Sequence, residues 1–293
     1  MFVQRFGKTI FYFLFIAFCI IWIYPLLWTL GTSVNTNTAA YNGTISLLPQ
    51  GFHLSMLLPN HWGQLGSVFH FDNYVNAWNV ASFGQYTLNT AVFSVSVVVI
   101  VVLLCSLTGY ALGRYSFPGK RVFIGAIIVT MFIPHGYTII PVWKLITALG
   151  LNSSLVGMIL AEVGGAHVLY ILLFTAYFAG IPRDLEEAAY LDGAGFLQTF
   201  VRIMFPLSMP IVATTSILQF MGSWNSFFIP LVFSLNKPAL QTLGVGMLSF
   251  TSDYGSNLVG MAAGAVIAFL PIVALFVFFQ RYFVEGIAGA VKQ

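Results

Sequence analysis

Six long apolar stretches alternate with polar ones along the chain: residues 10–30, 87–107, 122–142, 154–178, 207–234 and 258–280. At 1.5 Å of helical rise per residue, each can cross a hydrocarbon layer about 30 Å thick. In that solvent a backbone must satisfy its own hydrogen bonds, so the pattern predicts an all-α polytopic membrane protein with six transmembrane helices. The first stretch has 21 uncharged residues. A secretory leader has an apolar part of only about 7–15 residues and a small-residue exit, so a retained span is expected, kinked or ended near Pro25. Pro134 and Pro141 are expected to break the third span. The natural divisions are 1–31 (first span), 32–85 (a loop of Asn, Thr, Ser, Pro and aromatics, expected to fold as an outer cap) and 86–293. This last part is a five-helix core with a cytoplasmic loop at 181–206 and a C-terminal tail.

Composition agrees with that picture. Hydrophobic residues make up 59% of the chain, charged ones 6%, and the mean hydropathy is +0.91. A soluble domain carries charge on about a quarter of its residues and is excluded. The net charge of +3 is small and dispersed, so nucleic acid is not an expected partner, whereas membrane lipid is. Cys19 and Cys105 both lie in apolar runs and read as packed thiols. Nine of the 11 basic residues (Arg5, Lys8, Arg114, Lys120, Arg121, Arg183, Arg202, Arg281 and Lys292) fall on one side of a six-span layout, against Lys144 and Lys237 on the other. By the positive-inside rule both termini and the 181–206 loop face the cytoplasm.

That loop concentrates polarity. Pro182 suits a first helical turn, and Asp184, Glu186 and Glu187 place negative charge at the helix's positive end. Leu185, Ala188 and Ala189 are spaced to form a small apolar face for docking into another protein's groove. Gly193 and Gly195 then predict a break before a second short helix. The spacing Glu187-Ala188-Ala189, three residues, Gly193, nine residues, Ile203, one residue, Phe205-Pro206 resembles the EAA loop of ATP-binding-cassette (ABC) importer permeases. Its one departure is Phe205 where that family has Leu.

Further pieces are similar to the maltose-type carbohydrate permeases over nearly the whole chain. They are Leu149-Gly150-Leu151-Asn152, Asp192-Gly193-Ala194, Trp224-Asn225 with Phe227 and Pro230-Leu231, and the tail from Gln280-Arg281-Tyr282 to Lys292. The resemblance implies a type I ABC importer permease fold in a bacterial cytoplasmic membrane. It also implies a homologous second permease, two cytoplasmic ATP-binding subunits and an extracytoplasmic solute-binding protein. ATP and Mg would be bound by the ATPase partner, leaving this chain with no cofactor and no enzymatic activity. Asp184, Glu186, Glu187, Ala188, Ala189, Asp192, Gly193 and Ala194 would then couple the permease to the ATPase, and the 236–257 loop would reach the binding protein. Glu162 and the long first outer loop depart from a typical member and leave the ligand open.

The residues agree that nucleotide is bound elsewhere. Phe6-Gly7-Lys8-Thr9 ends like a phosphate-binding loop but has Phe2 where the leading glycine belongs. Glu162 and His167, both in the fourth stretch, are costly in hydrocarbon and so are candidates for the substrate path, or else tie one helix to another. Gln219, Trp224 and Asn225 could stack on and hydrogen-bond a sugar; equally, Asn225 could satisfy a helix end near Pro230. The alternatives are an ABC permease for a non-sugar solute, and a proton-coupled secondary transporter using Glu162 and His167. The motifs Gly109-x-x-x-Gly113 and Gly260-x-x-x-Gly264 permit close helix contact.

Overall fold

The computed structural model describes residues 2–42, 47–80, 82–133, 135–165, 167–252 and 255–291. Pro134, Asp253 and Lys292 lie outside them. The chain divides into two units, one of residues 1–84 with 246–271 and one of 85–245 with 272–293.

In the first unit, α1 (Phe2–Ser33) runs unbroken through Pro25, so the helix does not end there. None of its most apolar window is buried. Its last turn is held. The Ser33 hydroxyl meets Tyr74 Oη at 2.6 Å, and the Asn73 amide donates to the Ser33 and Asn35 carbonyls at 3.0 and 2.9 Å. The expected outer cap contains short helices: α2 (Asn37–Tyr41), capped by the Thr36 hydroxyl, then α3 (Trp62–Val68) and α4 (Asp72–Val80). A two-residue antiparallel pair, Thr251–Ser252 with Gly255–Ser256, belongs to the same unit. Its Ser256 amide donates to Tyr41 Oη at 3.0 Å. The Gly260 and Gly264 positions are tight here: a methyl group on Gly264 would come within 2.8 Å of the Phe83 ring.

The second unit is built on α5 (Phe83–Arg114), whose buried face carries Phe93, Val97, Val101, Cys105 and Tyr110. The third expected span is divided into α6 (Lys120–Thr130) and α7 (His135–Ala148), with Pro141 inside α7. The fourth comprises α8 (Leu155–Val163) and α9 (Val168–Ala179), inclined at 59° to each other. After α10 (Asp184–Leu191) comes a segment of α11 (Phe196–Thr199), a wide π turn (Phe200–Met204) and α12 (Phe205–Leu207). The chain then turns through 79° at Ser208, between Pro206 and Pro210, into α13 (Met209–Trp224). The fifth expected span therefore ends at Asn225 and resumes as α14 (Phe228–Ser234). α15 (Leu243–Gly246) follows, and α16 (Leu258–Val291) continues through the expected tail.

Among the described residues three helices are long and apolar enough to cross a membrane, or up to five if each bent pair counts as one span. The expected six is not reproduced, because α6 and α7, of 11 and 14 residues, are each too short. The all-α, membrane-spanning class stands, with the one short strand pair as its sole addition among the described residues.

Candidate functional site

α10 has two unlike faces. At about 100° per residue, Glu186, Ala189 and Tyr190 share one side while Asp184, Glu187, Ala188 and Leu191 share the other. Glu186 is 7% exposed and Ala189 4%, whereas Leu191 is 90% exposed. The expected docking face changes at one residue: Leu185 and Ala188 are exposed, as such a face requires, but Ala189 is turned inward beside a carboxylate. That orientation also removes Glu186 from the surface a partner could touch. The acids Asp184 and Glu187 remain outward, at the helix's positive end.

The inward Glu186 is fully partnered. Its carboxylate forms an ion pair with Arg114, the last residue of α5, through both Nε and Nη2. It also accepts a hydrogen bond from Tyr110 Oη at 2.8 Å. The same guanidinium donates to the backbone carbonyls of Phe178 at 3.2 Å, Ile181 at 2.7 Å and Pro182 at 3.4 Å, capping the C-terminal end of α9. A planar fork with five donors can serve α9 and α10 at once, with more bonds than the three donors of a lysine ammonium allow. The Arg114 and Glu186 side chains are 4% and 9% exposed. Removing either partner would strand the other charge, at about 3–5 kcal/mol.

Tyr110 donates to Glu186, so its oxygen is left to accept from Tyr115 at 3.3 Å, and Tyr115 in turn accepts from Tyr190. Burial pushes the Tyr115 hydroxyl up from its ordinary range, and as a neutral phenol it can donate and accept in this relay. Phe178, Phe196 and Phe200 surround the Tyr110 ring at centroid distances of 5.5, 5.1 and 5.4 Å. In the sequence Arg114 reads only as an orientation charge, and no motif there marks Tyr110, Tyr115 or Tyr190. The available signal was an arginine ending an apolar helix directly after Gly109-x-x-x-Gly113. Those glycines explain the approach: a Cβ on Gly109 would lie 2.4 Å from Phe174 Cβ, and one on Gly113 2.8 Å from the Thr175 carbonyl.

α10 stops at Asp192 because Gly193 takes φ +80°. The Gly193 amide then donates to Tyr190 O at 3.0 Å and the Ala194 amide to Ala189 O at 2.9 Å, the paired bonds of a Schellman end. Asp192 and Gly193 are exposed and Ala194 is half-buried.

The residues proposed for the membrane path are only partly brought together. Glu162 sits in the last turn of α8 and accepts from Ser226 Oγ at 3.1 Å, which places it beside the turn between α13 and α14. His167 precedes α9, and its Nε2 lies 3.3 Å from the Glu162 backbone carbonyl. The expected mid-helix pair is thus a pair flanking a helix break. Asn225, exposed in that same turn, donates to Met221 O at 2.8 Å and closes α13. Gln219 is 4% exposed and donates to Ser223 Oγ at 2.8 Å; Trp224 is 5% exposed and stacks on Phe220 at 5.3 Å. Both belong to the packed interior, so neither offers a free polar or aromatic face. An apolar cavity of about 400 Å³ lies next to the break, lined by Cys105, Thr108, Phe123, Thr130, His167 and Ile171 among others.

A bundle of interrupted apolar helices carrying a short acidic helix with one free face is the architecture of a transporter's membrane subunit. Residues 105–289 match the family described as binding-protein-dependent transport system inner membrane component, and the chain belongs to that family. It is 31% identical over 286 residues to the diacetylchitobiose uptake system permease protein NgcG of Streptomyces coelicolor, covering 96% of this chain and 86% of that one. It is 32% identical over 271 residues to the trehalose transport system permease protein SugB of Mycobacterium tuberculosis, covering 92% of each. It shares its fold with a chain in the crystal structure of a bacterial ABC transporter involved in the import of the acidic polysaccharide alginate. That match has a TM-score of 0.77 and 24% identity, and covers 96% of this chain and 97% of the other.

Proposed function

We propose that this chain is the permease subunit of an ABC importer for a carbohydrate, and that the outward face of α10 docks on the ATPase that drives it. One observation carries the docking: Leu191 is 90% exposed on the helix face that also presents Asp184 and Glu187, with the exposed Asp192 next to it in the chain. Burying a leucine yields about 1.5–3 kcal/mol, so this face favours an apolar socket rimmed with cations. Glu187 meets a basic rim residue in this reading, while Ala188, Gly193 and Ala194 allow close approach.

The assembly comprises a homologous second permease, two cytoplasmic ATP-binding subunits holding ATP and Mg, and an extracytoplasmic solute-binding protein. Both termini lie in the cytoplasm of a bacterial cell, as the basic residues direct. The carbohydrate class rests on relatives named for diacetylchitobiose and trehalose, joined by an arabinooligosaccharides transport system permease protein of Bacillus subtilis at 34% identity over 227 residues. ATP binding and the loaded binding protein favour the same outward-facing state, and transport follows from that coupling. Glu162, His167 and Asn225 at the helix breaks are the groups placed to line the path. Gln219 and Trp224 shape it from behind.

The test is Glu187→Lys, with the chain expressed beside the ATPase and permease encoded with it. Membrane insertion persists, the ATPase no longer co-purifies, and sugar uptake is lost. Normal co-purification and uptake would sink the docking role.

A further inference from the structure

We infer that Arg114 and Glu186 are positioning residues that lock the docking helix to α5, so that α5 moves with α10 as one body. The covalent path from α10 leads elsewhere: through residues 180–183 to α9. An eight-residue helix hung on such a connection is too short to hold itself and would be free to swivel.

Four separate features remove that freedom. The Arg114 guanidinium uses its fork on Glu186 of α10 and, at once, on the carbonyls that end α9. One helical turn later on the same face of α10, Tyr190 joins Tyr115 just beyond the end of α5, and the hydroxyl relay leads back through Tyr110 to Glu186. Phe196 and Phe200, from the segment after Gly193, clasp the Tyr110 ring, so both legs of the loop close on one residue of α5. Finally, Gly109 and Gly113 seat α5 directly against α9, leaving no slack between those helices. Every tie converges on the last turns of α5, which also supplies much of the buried core above. A displacement of α10 is therefore delivered to α5 as well as to α9.

This inference rests on the reading of α10 as the docking helix. Its test uses the assembled transporter in lipid nanodiscs, with Cys19 and Cys105 replaced by Ala and nitroxide labels at Val99→Cys on α5 and Leu185→Cys on the flank of α10. Distances are measured without nucleotide and with a non-hydrolysable ATP analogue. The background should give one narrow distance, the same in both states. Glu186→Gln, isosteric but uncharged, and Arg114→Lys, charged but without the fork, should broaden that distribution and make it differ between the states. Tyr190→Phe, which removes only the rim tie, should broaden it less, and it carries the test if the buried variants do not assemble. Distributions in these variants that superimpose on the background, or a background distance that shifts with nucleotide, overturn the inference. Failure of the docking reading looks different: the ATPase would not co-purify even with the unsubstituted chain.

Discussion

α1 and α5 are both 32 residues long and similarly apolar, yet they lead opposite lives. None of the apolar window of α1 is buried, against 44% of that of α5. The difference lies in side-chain size and polarity. α1 presents Phe13, Ile21 and Trp22 outward, a surface that lipid satisfies as well as protein would. α5 instead carries Ser94, Ser106, Gly109 and Gly113 where neighbours press against it, and ends in an arginine whose donors are taken up by two other elements. Hydropathy identifies what can enter a membrane; small and polar residues within the run identify what packs there.

Substitutions can break that comparison, in decreasing order of effect. Arg114→Ala should destabilise the purified chain by about 3–5 kcal/mol, read as a lowered Tm, because Glu186 is left buried and unpaired. Gly109→Ala should cost about 1–3 kcal/mol by the same measurement, since the new methyl group meets Phe174 and its backbone. Gly193→Ala has open space around it and meets only its left-handed φ; a loss of about 1 kcal/mol is expected, seen as faster hydrogen exchange across α10. Trp22→Leu on α1 should change Tm by less than the equivalent of about 0.5 kcal/mol. A large effect there would mean that α1 is covered by protein in the assembly, and the contrast with α5 would shrink to one between isolated chains.

Much of this architecture was legible in the residue order. The apolar runs mark the helices, Gly193 marks the end of α10, and the loop's spacing marks the family. What escaped had no local signature. Glu186 and Arg114 are 72 positions apart, and nothing in either neighbourhood pairs them. Of the apolar face read at Leu185, Ala188 and Ala189, Ala189 alone is turned inward, beside a buried carboxylate whose guanidinium partner periodicity cannot see. The break after Val163 had its cue in Gly164-Gly165, but run length outweighed it, whereas Pro206 and Pro210 mark the start of the fifth run, where α13 begins. The interior placement of Gln219 and Trp224 needed knowledge of which side of α13 is covered.

The Arg114–Glu186 pair also bears on the order of biogenesis. The ribosome completes α5 well before it makes Glu186, and through that interval the guanidinium has only water and headgroups for company. An unpaired cation at the end of an apolar helix resists being drawn into the bilayer, so it anchors α5 at the correct depth while the following helices insert. The side chain that becomes a buried internal contact is thus, until Glu186 exists, a charge that resists burial.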